Sequence, residues 1–319
     1  MEHGETFNLN DLAQHFHDAE SAREFLEKSR WPEGPVCPHC GVIGNAFKLE
    51  GKADSRKPVR KGVWKCGACR EQFTVTVGTI FEDSHIPLNK WLLAIHLLCA
   101  SKKGMSAHQL HRMLGVTYKS AWFMAHRIRY AMSQPPLLGK LKGIVEADET
   151  YVGAKRKKGA KRGRPGVGSH KVPVIAVLER GGRVRSRVVK RVTQENLRQA
   201  ITETCDPEAH LVTDELNLYK SIGKIFPKHS VVNHSAGEYA RGEVHVNSLE
   251  GFFGLLKRGI TGVYHHVGKH HLHRYLSEFD FRYNSRQLKD GQRTMLALKG
   301  TEGKRLTLRE PSVKLSEAN

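Results

Sequence analysis

The sequence predicts a multidomain α/β protein, and three observations support this prediction. The chain has 319 residues, which exceeds the usual size of a single domain. Its character changes along the chain, from a stretch rich in Cys, Gly and Lys at 36–78, through a helical region, to alternating strand-like and helical patterns. Hydrophobic residues make up 39% of the chain, which is enough for packed cores at this length and excludes global disorder.

The charge of the chain predicts a polyanionic partner. Lys and Arg number 52 against 32 Asp and Glu, giving a formal net charge of +20. Nucleic acid and an anionic membrane surface are both polyanions that could bind a chain of this charge. The membrane is disfavoured because no apolar run reaches the roughly 18 residues of a spanning helix. Since the first thirty residues also lack the features of a signal peptide, we expect a cytosolic protein with no membrane partner.

Residues 1–31 are predicted to form a helical lead-in, because apolar residues such as Leu9, Leu12 and Phe16 recur at helical spacing. The Pro- and Gly-containing stretch that begins at Trp31 ends this pattern.

Residues 32–80 contain two C-x-x-C pairs separated by 25 residues, Cys37 with Cys40 and Cys66 with Cys69. Four thiolates at this spacing predict one tetrahedral, structural Zn²⁺ per chain, because a complete Cys₄ set leaves no coordination position for water. A disulfide or two unrelated redox motifs are the alternatives. With only six cysteines in the whole chain, a disulfide scaffold is excluded. We therefore predict a small, β-rich zinc ribbon.

Residues 86–134 are predicted to form three helices, broken at Gly104 and Gly115. The last two helices have the length and turn of a helix-turn-helix, with Thr117 placed as an N-cap. In that motif the second helix enters the major groove, so Tyr118 and Lys119 are candidate DNA-binding residues.

An ordinary helical hairpin is the alternative reading of residues 86–134. In that case Arg127 and Arg129 of the last helix are merely solvated surface residues.

Residues 141–290 are predicted to form a mixed α/β domain, followed by a tail at 291–319. The predicted strands cover 143–152, 172–178, 184–189, 210–213 and 230–233. The predicted helices cover 195–203, 216–225, 247–257 and 269–283.

Three acidic residues in this domain are candidate metal ligands. Asp148 lies in an apolar strand, Asp214 lies at the end of another, and Glu250 lies near the start of a helix. Lys257 follows Glu250 by seven residues, on the same helical face. Two strand aspartates and a helix glutamate can hold two Mg²⁺ ions, with Mn²⁺ as a substitute, which is the chemistry of phosphodiester cleavage.

Each acid also has a structural alternative. Strand-end aspartates are often turn or cap residues. Asn247 with Glu250 has the spacing of a capping box, which would make the glutamate a helix-start device. Glu146 shares the strand face of Asp148 and is a competing ligand.

At these residues the sequence resembles DDE transposases of bacterial insertion sequences, in the ISXO-like branch with an N-terminal zinc ribbon. The resemblance extends over about 31–286 and is carried by these segments: Cys37-Pro-His-Cys40, Cys66-Gly-Ala-Cys69, Val77-Gly-Thr-Ile-Phe-Glu-Asp83, Ala147-Asp-Glu-Thr-Tyr-Val-Gly153, Asn233-His-Ser235, His245-Val-Asn-Ser-Leu-Glu-Gly-Phe-Phe-Gly-Leu-Leu-Lys-Arg-Gly259, Tyr264-His-His266 and Phe279-Asp-Phe-Arg-Tyr-Asn284.

The resemblance implies an RNase H-like catalytic domain with Asp148, Asp214 and Glu250 as metal ligands. Some members of this branch have asparagine in the third place, and Asn247 could take that role. We choose Glu250 because its spacing to Lys257 matches the glutamate-lysine pair of the wider superfamily.

Basic segments beside these acids are candidate phosphate contacts. Residues 155–164 contain seven basic residues in ten, and such a run is either a solvated loop or a clamp on DNA phosphates. Arg258 is a further candidate. The histidines between His265 and His273 favour a basic helix near phosphate over another metal site. The basic residues of the clamp are Lys155, Arg156, Lys157, Lys158, Lys161, Arg162 and Arg164.

The sequence therefore predicts a DNA transposase of an insertion sequence. Its reaction would be two-metal-ion cleavage at the element ends and strand transfer of the 3′-hydroxyl into target DNA. The expected partners are double-stranded DNA, as terminal inverted repeats and as target, and further copies of the chain in at least a dimer. The expected location is the bacterial cytoplasm, at the nucleoid when bound to DNA. A non-catalytic zinc-dependent DNA-binding regulator and an RNase H-like recombination nuclease are the alternatives.

Overall fold

The computed structural model describes residues 8–50, 61–133, 139–153 and 171–307. Contacts divide the chain into two compact units. Unit 1 comprises Met1–Ala100, Ala107–Met132 and Leu288–Asn319, and unit 2 comprises Ser101–Ser106 and Ser133–Gln287. The multidomain α/β prediction is confirmed at this level. Within the described ranges, no helix is both long enough and apolar enough to span a bilayer.

The N-terminal part of unit 1 has two short helices, α1 (Leu9–His15) and α2 (Ala19–Arg30), where the sequence predicted one helical lead-in. The break is explained by Asp18, whose side chain accepts a hydrogen bond from the N–H of Ser21 at 2.8 Å and so begins a new helix.

A small antiparallel sheet follows α2. Its strands are β1 (Ala46–Lys48), β2 (Trp64–Cys66) and β3 (Gln72–Phe73), with β2 in the middle. This is the β-rich module that the cysteine pattern predicted.

Three helices continue unit 1: α3 (Leu88–Ala100), α4 (Ala107–Leu114) and α5 (Tyr118–Ala131). The turn between α4 and α5 contains Gly115 at φ 58°, a conformation that glycine adopts without steric cost. Thr117 caps α5 by accepting a hydrogen bond from the N–H of Ser120 at 3.1 Å, as predicted.

The last described helix of unit 1, α10 (Asp290–Lys299), shows that the predicted tail is wrong for residues 291–299. Ala297 and Leu298 of α10 are buried. The hydroxyl of Thr294 lies 3.0 Å from His96 Nδ1 on α3, which ties α10 to a helix almost 200 residues earlier in the chain. The physical reason for the error is that these long-range partners are not adjacent in sequence.

Unit 2 contains one mixed five-stranded sheet in the spatial order β6-β5-β4-β7-β8. β5 pairs antiparallel with both β4 and β6, whereas β7 and β8 run parallel to β4. The strands are β4 (Ile144–Val152), β5 (Val172–Glu179), β6 (Val184–Val188), β7 (His210–Thr213) and β8 (Lys228–Val231).

Helices cover both faces of this sheet. One core contains Val145 and Ala147 of β4 and packs beneath α6 and α7. The other contains Val174 and Ala176 of β5 and packs beneath α8 and α9. The side chains alternate between the two cores because successive strand residues point to opposite faces. The helices are α6 (Gln194–Thr204), α7 (Asn217–Gly223), α8 (Asn247–Gly259) and α9 (Leu272–Asn284).

Candidate functional site

The four cysteines of unit 1 converge on one point. Their Sγ atoms all lie within 4.8 Å of one another, and the Cys37–Cys69 and Cys40–Cys66 pairs are each separated by 3.6 Å. These separations are well beyond the roughly 2.05 Å of a disulfide, so the disulfide alternative is wrong.

The local backbone explains how the cysteines meet. The N–H of Gly41 donates to the carbonyl of Cys37 at 2.9 Å, and the N–H of Arg70 donates to the carbonyl of Cys66 at 3.1 Å. Each of the two cysteine pairs therefore lies on a turn of the same kind. Hydrogen bonds from backbone N–H groups, chiefly that of Cys69, lower the pKa of Cys66 to about 6 and favour its thiolate. The donor set fits a structural zinc ion.

Only part of the DNA-binding surface that the sequence predicts on α4 and α5 is exposed. Tyr118 is 45% exposed and stacks on His108 with ring centroids 4.3 Å apart, and Lys119 is exposed beside it. Beyond this first turn most of α5 is buried. Arg112 of α4 is exposed on the neighbouring helix, and sequence reasoning did not single it out.

Arg127 and Arg129 are buried, so their reading as solvated surface residues is wrong. The Arg127 guanidinium donates to the carbonyls of Ile80 at 2.7 Å, Glu82 at 2.8 Å and Leu306 at 3.0 Å. This arginine therefore joins three separate segments of unit 1. Its role in the structure is internal, and the exposed part of α5 is its N-terminal turn.

The sheet of unit 2 brings Asp148 and Asp214 to the same level. In the parallel β4–β7 register Glu146 pairs with Val212, and each aspartate lies two residues further along its own strand direction. Asp148 is inside β4, and Asp214 directly follows β7. Adjacent parallel strands thus place the two candidate ligands side by side.

The electrostatics of this site indicate concentrated negative charge. Burial, together with the charges of Glu149, Asp214 and Glu250, raises the pKa of Asp148 to about 7. Burial also raises the pKa of Asp214. Carboxylates that are buried close to one another favour binding of a cation.

Glu250 lies on the exposed face of α8. The N-cap of this helix is Val246, without a side-chain cap hydrogen bond, so the capping-box alternative for Asn247 and Glu250 is wrong. Glu250 Oε1 lies 3.8 Å from Nδ1 of His234. Lys257 is exposed two helical turns further on.

The three acids are more widely spaced than the cysteines. Among the residues that the structure describes, the four cysteines alone form a group of three or more candidate ligands within 4.8 Å of one another. Mutual repulsion separates unneutralised carboxylates. A two-metal site also does not require one ion to touch all three acids, since its cations lie roughly 3.5–4 Å apart.

Glu146, the competing ligand, is fully engaged elsewhere. Its Oε1 accepts hydrogen bonds from Arg180 Nε at 3.1 Å and Nη2 at 3.0 Å, and its Oε2 accepts one from the N–H of Leu249 at 3.0 Å. The alternative prediction that Glu146 is a metal ligand is therefore wrong for this structure. Sequence reasoning missed Arg180, which lies 34 residues from its partner.

His234 was quoted in the sequence only as part of a matched segment. The structure places its Nδ1 3.8 Å from Oε1 of Glu250, and its Coulombic interaction with Asp214 partly offsets the rise in the pKa of that carboxyl group. Glu215 holds its loop by accepting hydrogen bonds from the N–H groups of His234 at 2.9 Å and Ser235 at 3.1 Å. These contacts, led by the Ser235 hydroxyl, lower the pKa of Glu215 to about 2.

The described residues include only some of the candidate phosphate contacts. The seven basic residues of 155–164 lie outside the described residues. Lys257 and Arg258 are both exposed near the C-terminal end of α8.

Residues 140–284 match the ISXO2-like transposase domain, and residues 17–72 match the transposase zinc-ribbon domain. A protein in the transposable element ISH50 of Halobacterium salinarum is 29% identical over 281 residues, which cover 82% of this chain and 89% of the relative. In these two segments the chain is similar to ISXO2-like transposases, in which a zinc ribbon precedes the DDE domain.

Proposed function

We propose that this transposase uses Asp148, Asp214 and Glu250 to hold two Mg²⁺ ions, which Mn²⁺ can replace, for cleavage at element ends and strand transfer. The observation that supports this best is the register that brings Asp148 and Asp214 to one level of adjacent parallel strands. When bound, such a pair of cations activates the attacking oxygen and stabilises the leaving oxygen. An RNase H-like fold is supported by the mixed sheet with helices on both faces.

The protein groups around the acids then have distinct tasks. Glu146 fixes the strand of Asp148 against the helix of Glu250 through its contacts with Leu249 and Arg180. Lys257 and Arg258 are positioned to neutralise phosphates of the bound strand. The attacking group is water for cleavage and the freed 3′-hydroxyl for joining.

DNA recognition is assigned to unit 1. We propose that α4 and α5 act as a helix-turn-helix that reads the terminal inverted repeats through Tyr118 and Lys119, with the zinc ribbon as a second contact. Support comes from the exposed first turn of α5 and the net charge of +20. The segment 155–164 supplies further phosphate contacts.

Two element ends must be brought together before joining, so the proposed assembly is at least a dimer. Because its substrate is chromosomal and element DNA, we place its action in the bacterial cytoplasm, at the nucleoid.

The test uses purified protein, labelled DNA carrying the terminal repeats, target DNA and Mg²⁺. Asp148→Asn and Asp214→Asn should each abolish cleavage and joining while leaving repeat binding within about twofold. Glu195→Gln, an exposed acid on α6, is the matched control and should retain full activity. Unchanged cleavage by both aspartate variants would reject the active-site assignment.

Two other functions are distinguishable in the same experiment. Cleavage without joining would identify a recombination nuclease, and repeat binding without cleavage would identify a regulator. A comparison of Glu250→Gln with Asn247→Ala decides which residue is the third ligand, and we expect the larger loss for Glu250→Gln.

A further inference from the structure

A cavity of about 520 Å³ lies in unit 2 at the end of β4. Its inner walls are apolar and include Val152, Ile260 and Leu272, all of which are buried. Its rim carries His265, exposed, and Lys269, also exposed. The size fits the range of small-ligand sites, and the combination of apolar walls with a cationic rim suits a planar group attached to an anion.

The backbone at the rim is strained. His265 has φ 58° and ψ −48°, and the N–H of His266 donates to the carbonyl of Tyr264 at 2.6 Å, which closes a γ-turn. This turn directly follows a π-helical segment, Ile260–Tyr264. Strained residues and π-helical turns are frequent at functional sites.

The surrounding structure holds this turn in place. The Tyr264 hydroxyl donates to Glu278 at 2.6 Å, and its ring packs against Tyr275 with centroids 4.7 Å apart. The preceding tyrosine is therefore anchored in the core while His265 is presented at the rim.

Two elements lead from the candidate active site to this cavity. Along β4, Val152 is four residues beyond Asp148, which corresponds to about 13 Å. Along α8, Ile260 is ten residues beyond Glu250, or about 15 Å. Lys257 lies between these points on the exposed face. A DNA strand that is bound at the acids and follows the basic residues would reach the cavity.

We propose that the cavity receives one unpaired nucleobase of the bound DNA strand, an inference that rests on the proposed function. The apolar walls exclude water from the base, the His265 imidazole stacks on it, and Lys269 pairs with an adjacent phosphate. At about 3.4 Å per stacked nucleotide, 13 Å spans about four nucleotides from the scissile phosphate.

The proposal is tested with the full-length protein and terminal-repeat DNA containing 2-aminopurine, one substitution at a time, at four positions on each side of the scissile phosphate. Mg²⁺ is omitted so that the DNA stays intact. Fluorescence should rise at least threefold at one position on binding, because a 2-aminopurine that leaves the stack of neighbouring bases is brighter. A flat response at every position would overturn the proposal.

Two variants connect that signal to the cavity. His265→Gly removes the imidazole but keeps the turn, because glycine adopts positive φ freely. Lys269→Ala removes the cation, with Lys224→Ala, an exposed lysine directly after α7, as its matched control. Both cavity variants should reduce the signal at least threefold, and the control should not. A signal unchanged in both cavity variants, or displaced by equimolar free deoxynucleotide, would also overturn the proposal.

This result and the proposed function can fail separately. If wild-type protein cleaves and joins DNA without any 2-aminopurine signal, only the cavity assignment is wrong. If the signal behaves as expected while Asp148→Asn retains cleavage, the base site stands and the catalytic assignment is wrong.

Discussion

Glu146 accepts a hydrogen bond from the backbone N–H of Leu249 at 3.0 Å, and this contact joins the strand of Asp148 to the helix of Glu250. Glu146 is two residues from Asp148 on the same strand face, and Leu249 directly precedes Glu250. A carboxylate at a helix N-terminus also interacts favourably with the helix dipole. One fully buried side chain therefore sets the distance between two candidate metal ligands.

Glu146→Ala should destabilise the protein by about 2–4 kcal/mol, because it leaves the Arg180 guanidinium and a buried N–H without their carboxylate partner. Glu146→Gln retains an oxygen that can accept from Leu249, so its loss should be smaller. Urea unfolding measures the stability, and the cleavage rate under native conditions should fall in the same order. Glu203→Gln, which breaks an exposed ion pair with Arg187, is the control. A Glu146→Ala protein with wild-type stability and cleavage rate would contradict this role.

Metal removal should unfold the cysteine module of unit 1. Its three strands contain only eight residues, so burial alone provides little stability and bound zinc supplies the remainder. We expect one zinc per chain by metal analysis, its loss in Cys37→Ser, and a lower Tm after chelation.

The control for zinc binding is Cys205→Ala, a buried thiol in the core of unit 2, which should keep one zinc per chain. Zinc retained at full stoichiometry in Cys37→Ser would show that Cys37 is not a ligand.

The proposed DNA-binding surface of unit 1 predicts that removal of its exposed cations weakens DNA binding. Lys119→Ala and Arg112→Ala should each weaken binding to terminal-repeat DNA and reduce the slope of log K against log salt by about 1, the value for one lost phosphate contact. Fluorescence anisotropy over a salt series measures both quantities. Lys224→Ala is the control. Equal slopes for all three variants would place the DNA elsewhere.

The sequence predicts those features whose partners are close in the chain or follow a strict period. The strand His210–Thr213 has the predicted bounds, and the C-x-x-C pairs meet as their spacing indicates. Long-range partners are not visible in the same way. The ion pair of Glu146 with Arg180 and the packing of α10 in unit 1 both depend on contacts that local periodicity does not encode.

The turn at the cavity rim is a second feature that local sequence patterns do not predict. The histidine cluster suggested phosphate contacts, but no local pattern predicted that His265 would occupy a strained γ-turn, because the turn depends on the contact between Tyr264 and Glu278.

Stability should depend on pH through Asp280, which is buried in α9. Its carboxylate accepts hydrogen bonds from the N–H of Ser186 at 2.8 Å and the hydroxyl of Ser186 at 2.7 Å, yet burial outweighs them and raises its pKa to about 7. Between the unfolded pKa of 3.8 and about 7 the folded state therefore binds more protons than the unfolded state. Its contribution to stability is present in full below the lower value and is lost as the pH rises through the higher one.

Asp280→Asn should remove this dependence, because the amide is neutral at every pH and retains an acceptor for Ser186. The free energy of unfolding in urea is measured at pH 5 and pH 8 for both proteins. From pH 5 to pH 8 the wild type should lose stability relative to the variant by up to a few kcal/mol, since one pKa unit corresponds to about 1.4 kcal/mol. Taking the difference between the two proteins removes the contribution of Asp148, which they share. A difference that is constant with pH would show that Asp280 is ionised in the folded protein.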